Sequence, residues 1–122
     1  MRVSFRHLRG LCLILAGVSV AVIAWGSLTP GAEMPRDLPW DKFNHFIAYA
    51  GLATLLRLGG LRAVTALGLP IGCGLFIEGL QLGVPGRSGA DWADALANTL
   101  GALAAVGACH WLLPRRFLVA RG

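Results

Sequence analysis

An all-α, membrane-embedded bundle of four transmembrane helices is the fold the sequence predicts, on three observations. First, hydrophobic residues make up 56% of the 122 and charged residues only 14%, with a mean hydropathy of +0.66. A soluble domain carries about 25% charged residues, so this chain has too little charge to cover its own surface in water. Disorder is excluded as well, because disordered chains are poor in apolar residues. Second, the apolar residues fall into four runs. A spanning helix needs roughly 20 apolar residues, so four use about 80 and leave about 40 for loops and ends. Third, the basic residues flank those runs. A net charge of +5 therefore reads as anchoring of helix ends, not as nucleic-acid binding. The loops are too short for a soluble domain, so the chain is one membrane domain over 1–122.

The first span covers about residues 11–28 and follows Arg2, Arg6 and Arg9. A basic start and Val22-Ile23-Ala24 would also suit a cleaved leader. The run continues through Trp25 to Leu28, longer than a usual leader core, which favours a retained span. A loop begins at Thr29-Pro30-Gly31 and runs to Trp40. The second span covers about 43–58, and its first turns are unusually polar, with Asp41, Lys42, Asn44, His45 and Tyr49. Arg57, Gly59, Gly60 and Arg62 mark the turn that follows. The third span covers about 63–84 and contains Gly68, Pro70, Gly72 and Gly74, which predict a bend. It ends with Glu78 and Gln81, before the loop Pro85-Gly86-Arg87-Ser88-Gly89-Ala90. The fourth span covers about 92–113, with Asp94 and Asn98 in its first half and Pro114 beyond its end.

The basic residues also orient the chain. With the N-terminus inside, the cytoplasmic side holds Arg2, Arg6, Arg9, Arg57, Arg62, Arg115, Arg116 and Arg121, and the outer side only Arg36, Lys42 and Arg87. That bias predicts cytoplasmic N- and C-termini. Every acid, Glu33, Asp37, Asp41, Glu78, Asp91 and Asp94, then falls on or towards the outer side.

The unusual polar residues share one membrane level. Asp41, His45 and Tyr49 are spaced i, i+4, i+8 and lie on one helix face. Glu78 and Gln81 are spaced i, i+3; Asp94, Asn98 and Gly101 are spaced i, i+4, i+7. An ionised group at mid-membrane costs roughly 2.5–3.5 kcal/mol on insertion scales, so such residues turn towards partners or a watery cavity. At about 1.5 Å per residue, His45 and Asn98 sit several ångströms below the surface. The expected object is a polar pocket open to the outer face. Duller roles compete for some members. Asp41 and Asp91 would cap helices, Lys42 would snorkel to headgroups, and Tyr49, Trp40 and Trp92 would be interfacial aromatics. Gly101 and Ala105 form a small-residue packing pair. Caps and snorkelling do not explain the depth of His45, Glu78, Asp94 and Asn98; a structural polar network would.

At these residues the sequence resembles the VanZ-like family of small bacterial membrane proteins. Ser27-Leu28-Thr29-Pro30 ends the first span, and Asp41-Lys42-Phe43-Asn44-His45-Phe46 is similar to the family's D-K-x-x-H-F. Glu78-Gly79-Leu80-Gln81 is similar to E-x-x-Q, and Pro85-Gly86-Arg87-Ser88 to a P-x-R-S loop. Residues 94–101 are similar to D-x-x-x-N-x-x-G. The resemblance covers about residues 25–105. It implies one membrane fold and carries no agreed reaction. The family's namesake is an accessory factor in resistance to the lipidated glycopeptide teicoplanin; the resemblance does not imply that this chain confers it.

The leading expectation is a pocket for an outer-leaflet lipid or lipid-linked envelope headgroup in the bacterial cytoplasmic membrane. His45, Glu78 and Asp94 are the catalytic candidates: His45 as general acid or base, an aspartate orienting it, and Glu78 exchanging a proton. Asp41, Lys42, Tyr49, Gln81, Arg87 and Asn98 are the substrate-binding candidates, with Arg87 and Lys42 on a phosphate near the helix N-termini. The alternative is non-catalytic capture of a lipid or drug. Cys12, Cys73 and Cys109 show no metal-ligand spacing and lie away from the cluster, so no covalent nucleophile stands out. Ion transport is disfavoured because the inner half has no acid. A metal on His45, Glu78 and Asp94 is disfavoured by the cations Lys42 and Arg87. No metal, no cofactor and no nucleic-acid partner is expected.

Overall fold

A computed structural model describes residues 4–30, 41–86 and 92–118. Most of these residues are helical, and no strand occurs among them. Four long helices are α1 (Phe5–Leu28), α2 (Asp41–Leu58), α3 (Ala63–Gln81) and α4 (Trp92–Leu112); a single turn, α5 (Arg115–Leu118), follows Pro114. Of the four, α1, α3 and α4 are long and apolar enough to cross a membrane. The 18 residues of α2 span about 27 Å, close to the ~30 Å hydrocarbon core. Its charges, Asp41, Lys42 and Arg57, sit at its two ends and leave the middle apolar.

The helix ends follow from local chemistry. Ser4 caps α1, its Oγ accepting from the Arg6 amide at 3.3 Å. Between α2 and α3 the chain reverses in a Schellman turn. The Leu61 amide bonds Leu56 O at 3.1 Å and the Gly60 amide bonds Arg57 O at 3.0 Å. Gly60 takes φ +91°, which a side chain would strain, and the Arg9 guanidinium lies over it. α3 runs through Pro70 as one helix and stops at Gln81; residues expected to prolong it to 84 instead form turns bonded back to Gly79, Leu80 and Gln81.

Contacts fix the directions. Lys42 meets Asp94, His45 meets Asn98 and Phe46 meets Gly101, so α2 and α4 run parallel and form the closest pairing in the bundle. α1 and α3 run the opposite way. The core is built from small residues: Ala53, Ala66 and Ala102 are fully buried, with Ala16, Leu52, Leu56, Ala105 and Val106 around them. Where two alanines meet, helix axes approach closely, which is how helices gain contact in lipid. The outside is apolar, with Val64, Leu75, Phe76 and Leu112 all exposed. Trp25 and Trp92 lie exposed towards one end and Trp111 towards the other, as expected of side chains at the two membrane interfaces.

The two ends differ. One carries Lys42, Glu78, Gln81 and Asp94; the other carries Arg9, Arg57 and Arg62. They are the polar end and the basic end below.

Candidate functional site

The polar end is organised by the parallel pair α2–α4. On α2, Lys42, His45 and Tyr49 are spaced i, i+3, i+7 and share the face turned to α4. On α4, Asp94 and Asn98 lie one turn apart and both are buried. Lys42 Nζ bonds and ion-pairs with Asp94 Oδ1. Lys42 thus turns inward to a carboxylate. His45 bridges the two α4 residues: Nδ1 is 2.9 Å from Asn98 Oδ1, and Nε2 is 3.7 Å from Asp94 Oδ2.

That geometry constrains the proton on His45. Asn98 Oδ1 can only accept, so Nδ1–H is the donor. Nε2 is left as the atom that takes or gives a proton, with the Asp94 carboxylate alongside. Asn98 itself is held by packing. A Cβ added at Gly74 of α3 would stand 2.9 Å from Asn98 Nδ2 and 3.2 Å from the Tyr49 ring. A side chain at this position would displace the Asn98 amide or the Tyr49 ring. Tyr49 is 1% exposed, and Cys73 and Glu78 are within its electrostatic reach. Cys73 precedes Gly74 in α3, and no hydrogen bond joins it to the Lys42, His45, Asp94 and Asn98 side chains among the described residues. Glu78 is buried one turn nearer the polar end than Gly74.

Gln81 does something else. It is buried, and its Nε2 donates to Ser27 O at 2.8 Å, tying the end of α1 to the end of α3. Its Oε1 is buried with no hydrogen-bond partner among the described residues. Gln81→Leu should speed amide exchange in the last turn of α1 by roughly fivefold, the equivalent of about 1 kcal/mol for one hydrogen bond. Unchanged exchange would mean the tie carries no load.

Arg87, Asp91 and Trp40, and the side chain of Asp41, lie outside the described residues. Among the described residues, no three of His, Cys, Asp and Glu gather as metal ligands would. Sequence reasoning gave Arg57 no structural role beyond marking a turn. It is 6% exposed, and its Nη1 donates to Leu61 O at 2.6 Å. The signal was the Gly59-Gly60 pair, since a Schellman turn brings that carbonyl back over the last helical turn.

The model of the VanZ/LLP1 family matches residues 6–113, nearly the whole chain. The chain belongs to that family. No curated protein and no solved structure gives a significant match. In this VanZ/LLP1 chain the described parts of the motifs have distinct tasks. Lys42, His45, Asp94 and Asn98 form one array, Glu78 lies near Tyr49, and Gln81 fastens α1.

Proposed function

We propose that this VanZ/LLP1 chain sits in the bacterial cytoplasmic membrane with both termini inside. Its polar end faces outward and binds or modifies the headgroup of an outer-leaflet lipid or lipid-linked envelope precursor. The observation that carries the reading is the Lys42–Asp94–His45–Asn98 array. It gathers a cation, a carboxylate and an imidazole at one end of the bundle, which supports a site for a headgroup. The orientation rests on the basic residues, which concentrate at the opposite end.

Each residue then has a part. Asn98 holds His45 in one tautomer, and Nε2 acts as general acid or base with Asp94 beside it. Glu78, buried near Tyr49, exchanges a second proton. The N-termini of α2 and α4 both lie at this end, and their positive dipole ends favour a phosphate. Arg87 and Lys42 are the cations assigned to that phosphate in this reading.

Mass spectrometry of total lipid extracts tests this. Cells without the protein are compared with cells expressing wild type, His45→Ala or Glu78→Gln at matched levels. A lipid species that changes only with wild type is the expected result. Loss of a general acid or base lowers rates by about 10²–10⁴-fold, enough to remove the species in either variant. A change that persists in both variants would sink the acid–base assignment. Capture without chemistry is the second reading, favoured by the engagement of Asp94 with Lys42 inside the protein. It predicts unchanged lipid chemistry, with a lipid that co-purifies with wild type, survives His45→Gln and is lost on Arg87→Ala.

A further inference from the structure

An apolar groove of about 340 Å³ separates α1 from α2. Val18, Val22 and Ile23 form one wall, and Ile47, Gly51 and Leu55 the other. That volume is at the low end of the roughly 300–1,000 Å³ typical of ligand pockets. Its floor is shaped by an absent side chain: a Cβ added at Gly51 would meet no heavy atom within 4 Å. Ser19 also lines it, but its hydroxyl is spent on Leu15 O at 2.8 Å.

Depth identifies the occupant. From Asp41 to Ile47 is about 9 Å along α2, and from Ile47 to Leu55 about 12 Å more. The groove therefore lies at the middle of the membrane, where only hydrocarbon tails are present. It opens sideways, since Val18, Val22, Ile47 and Gly51 are exposed on the lipid-facing surface. It is also in line with the polar end. Asn44, Ala48, Gly51 and Leu55 are spaced i, i+4, i+7, i+11 and form one stripe of α2. Asn44 stands at the top of that stripe, at the level of Lys42 and His45 but about 100° or more round α2 from the side chains they turn to α4.

We propose that this groove is the slot for one acyl chain of a phospholipid whose headgroup is held at the polar end, which rests on the headgroup reading above. Apolar contact alone gives a tail little reason to prefer the groove, because the surrounding lipid is equally apolar. Retention comes from packing in the slot together with the anchored headgroup.

Photolabelling tests it. The full chain is reconstituted in vesicles of phosphatidylethanolamine and phosphatidylglycerol. A tracer phosphatidylglycerol carries a diazirine midway along one acyl chain. After illumination, adducts are mapped by peptide mass spectrometry. Adducts should be severalfold denser on Val22, Ile47, Gly51 and Leu55 than on Leu75 and Phe76, which are exposed on α3. Gly51→Leu fills open space without a clash and should lower groove labelling to the α3 level at an unchanged melting temperature. Val22→Phe, from the opposite wall, should do the same. Equal labelling of groove and α3 in wild type overturns the slot. Lys42→Ala separates the two readings. Groove adducts that fall in it support an anchored headgroup. Adducts that persist in it, yet vanish in Gly51→Leu, keep the slot and overturn the headgroup site.

Discussion

Gly101→Leu should leave little folded protein. A Cβ at this position would run into the carbonyl oxygen of Phe46, 3.0 Å from its carbon and 3.2 Å from the Ala50 amide nitrogen. All three are backbone atoms of α2, so no side-chain rotation can relieve the overlap. The helices would have to separate. Overpacking a well-filled core costs about 1–3 kcal/mol and occasionally more; an overlap with backbone belongs at or above the top of that range. The damage would also spread. Gly101 lies one turn below Asn98 on the face that meets α2, so separation there stretches the His45–Asn98 bond of 2.9 Å. Thermal unfolding in detergent checks the prediction, with Gly107→Leu as control. A Cβ at Gly107 meets nothing within 4 Å, and that variant should melt like wild type. A Gly101→Leu protein with wild-type melting would mean α2 and α4 are not in this register.

The second large effect is expected at Asp94. Removing one member of a buried ion pair costs about 3–5 kcal/mol, because the other charge is left uncompensated. Lys42 keeps 26% of its side chain exposed, and water screening lowers the expected loss for Asp94→Ala to about 2 kcal/mol. The double variant Lys42→Met, Asp94→Leu removes both charges and should recover most of that stability. A double-mutant cycle measures the coupling directly. The proposed acid–base role predicts that the lipid change is lost in both variants that lack Asp94, since His45 Nε2 then has no carboxylate beside it. A coupling near zero would show that the pair does not hold α2 to α4.

Much of this site was legible in the sequence, for a physical reason. Polar residues inside apolar runs are costly, so they announce themselves, and their distance from the helix ends gives their depth. His45, four residues into α2, and Asn98, six residues beyond the start of α4, are placed at similar levels by counting alone. Counting does not supply the rotation of one helix about its axis. The i, i+4, i+8 spacing put His45 and Tyr49 on one face with Asp41, whose side chain lies outside the described residues; it did not show that Lys42 also turns to α4. A lysine near a helix end has two good destinations, the headgroups and a buried carboxylate, and only the position of α4 decides between them. Gly74 shows the same limit. It is one of four glycines in α3, and nothing in the sequence separates it from Gly68, Gly72 or Gly79; contact with Asn98 and Tyr49 does. Arg57 was hidden because an arginine at a span end reads as an interfacial anchor, while the reversal of the chain at Gly60 offers it a buried carbonyl.

The parallel pairing of α2 with α4 also sets an order of events during synthesis. Lys42 and Asp94 are 52 residues apart in the chain. At roughly 5–20 residues per second, the ribosome takes about 3–10 s to cover that distance. Throughout that interval Lys42 has been made while its partner Asp94 does not yet exist. A nascent chain halted before Asp94 would hold a half-built array, with Lys42 and His45 still to be shielded by water, lipid headgroups or the insertion machinery.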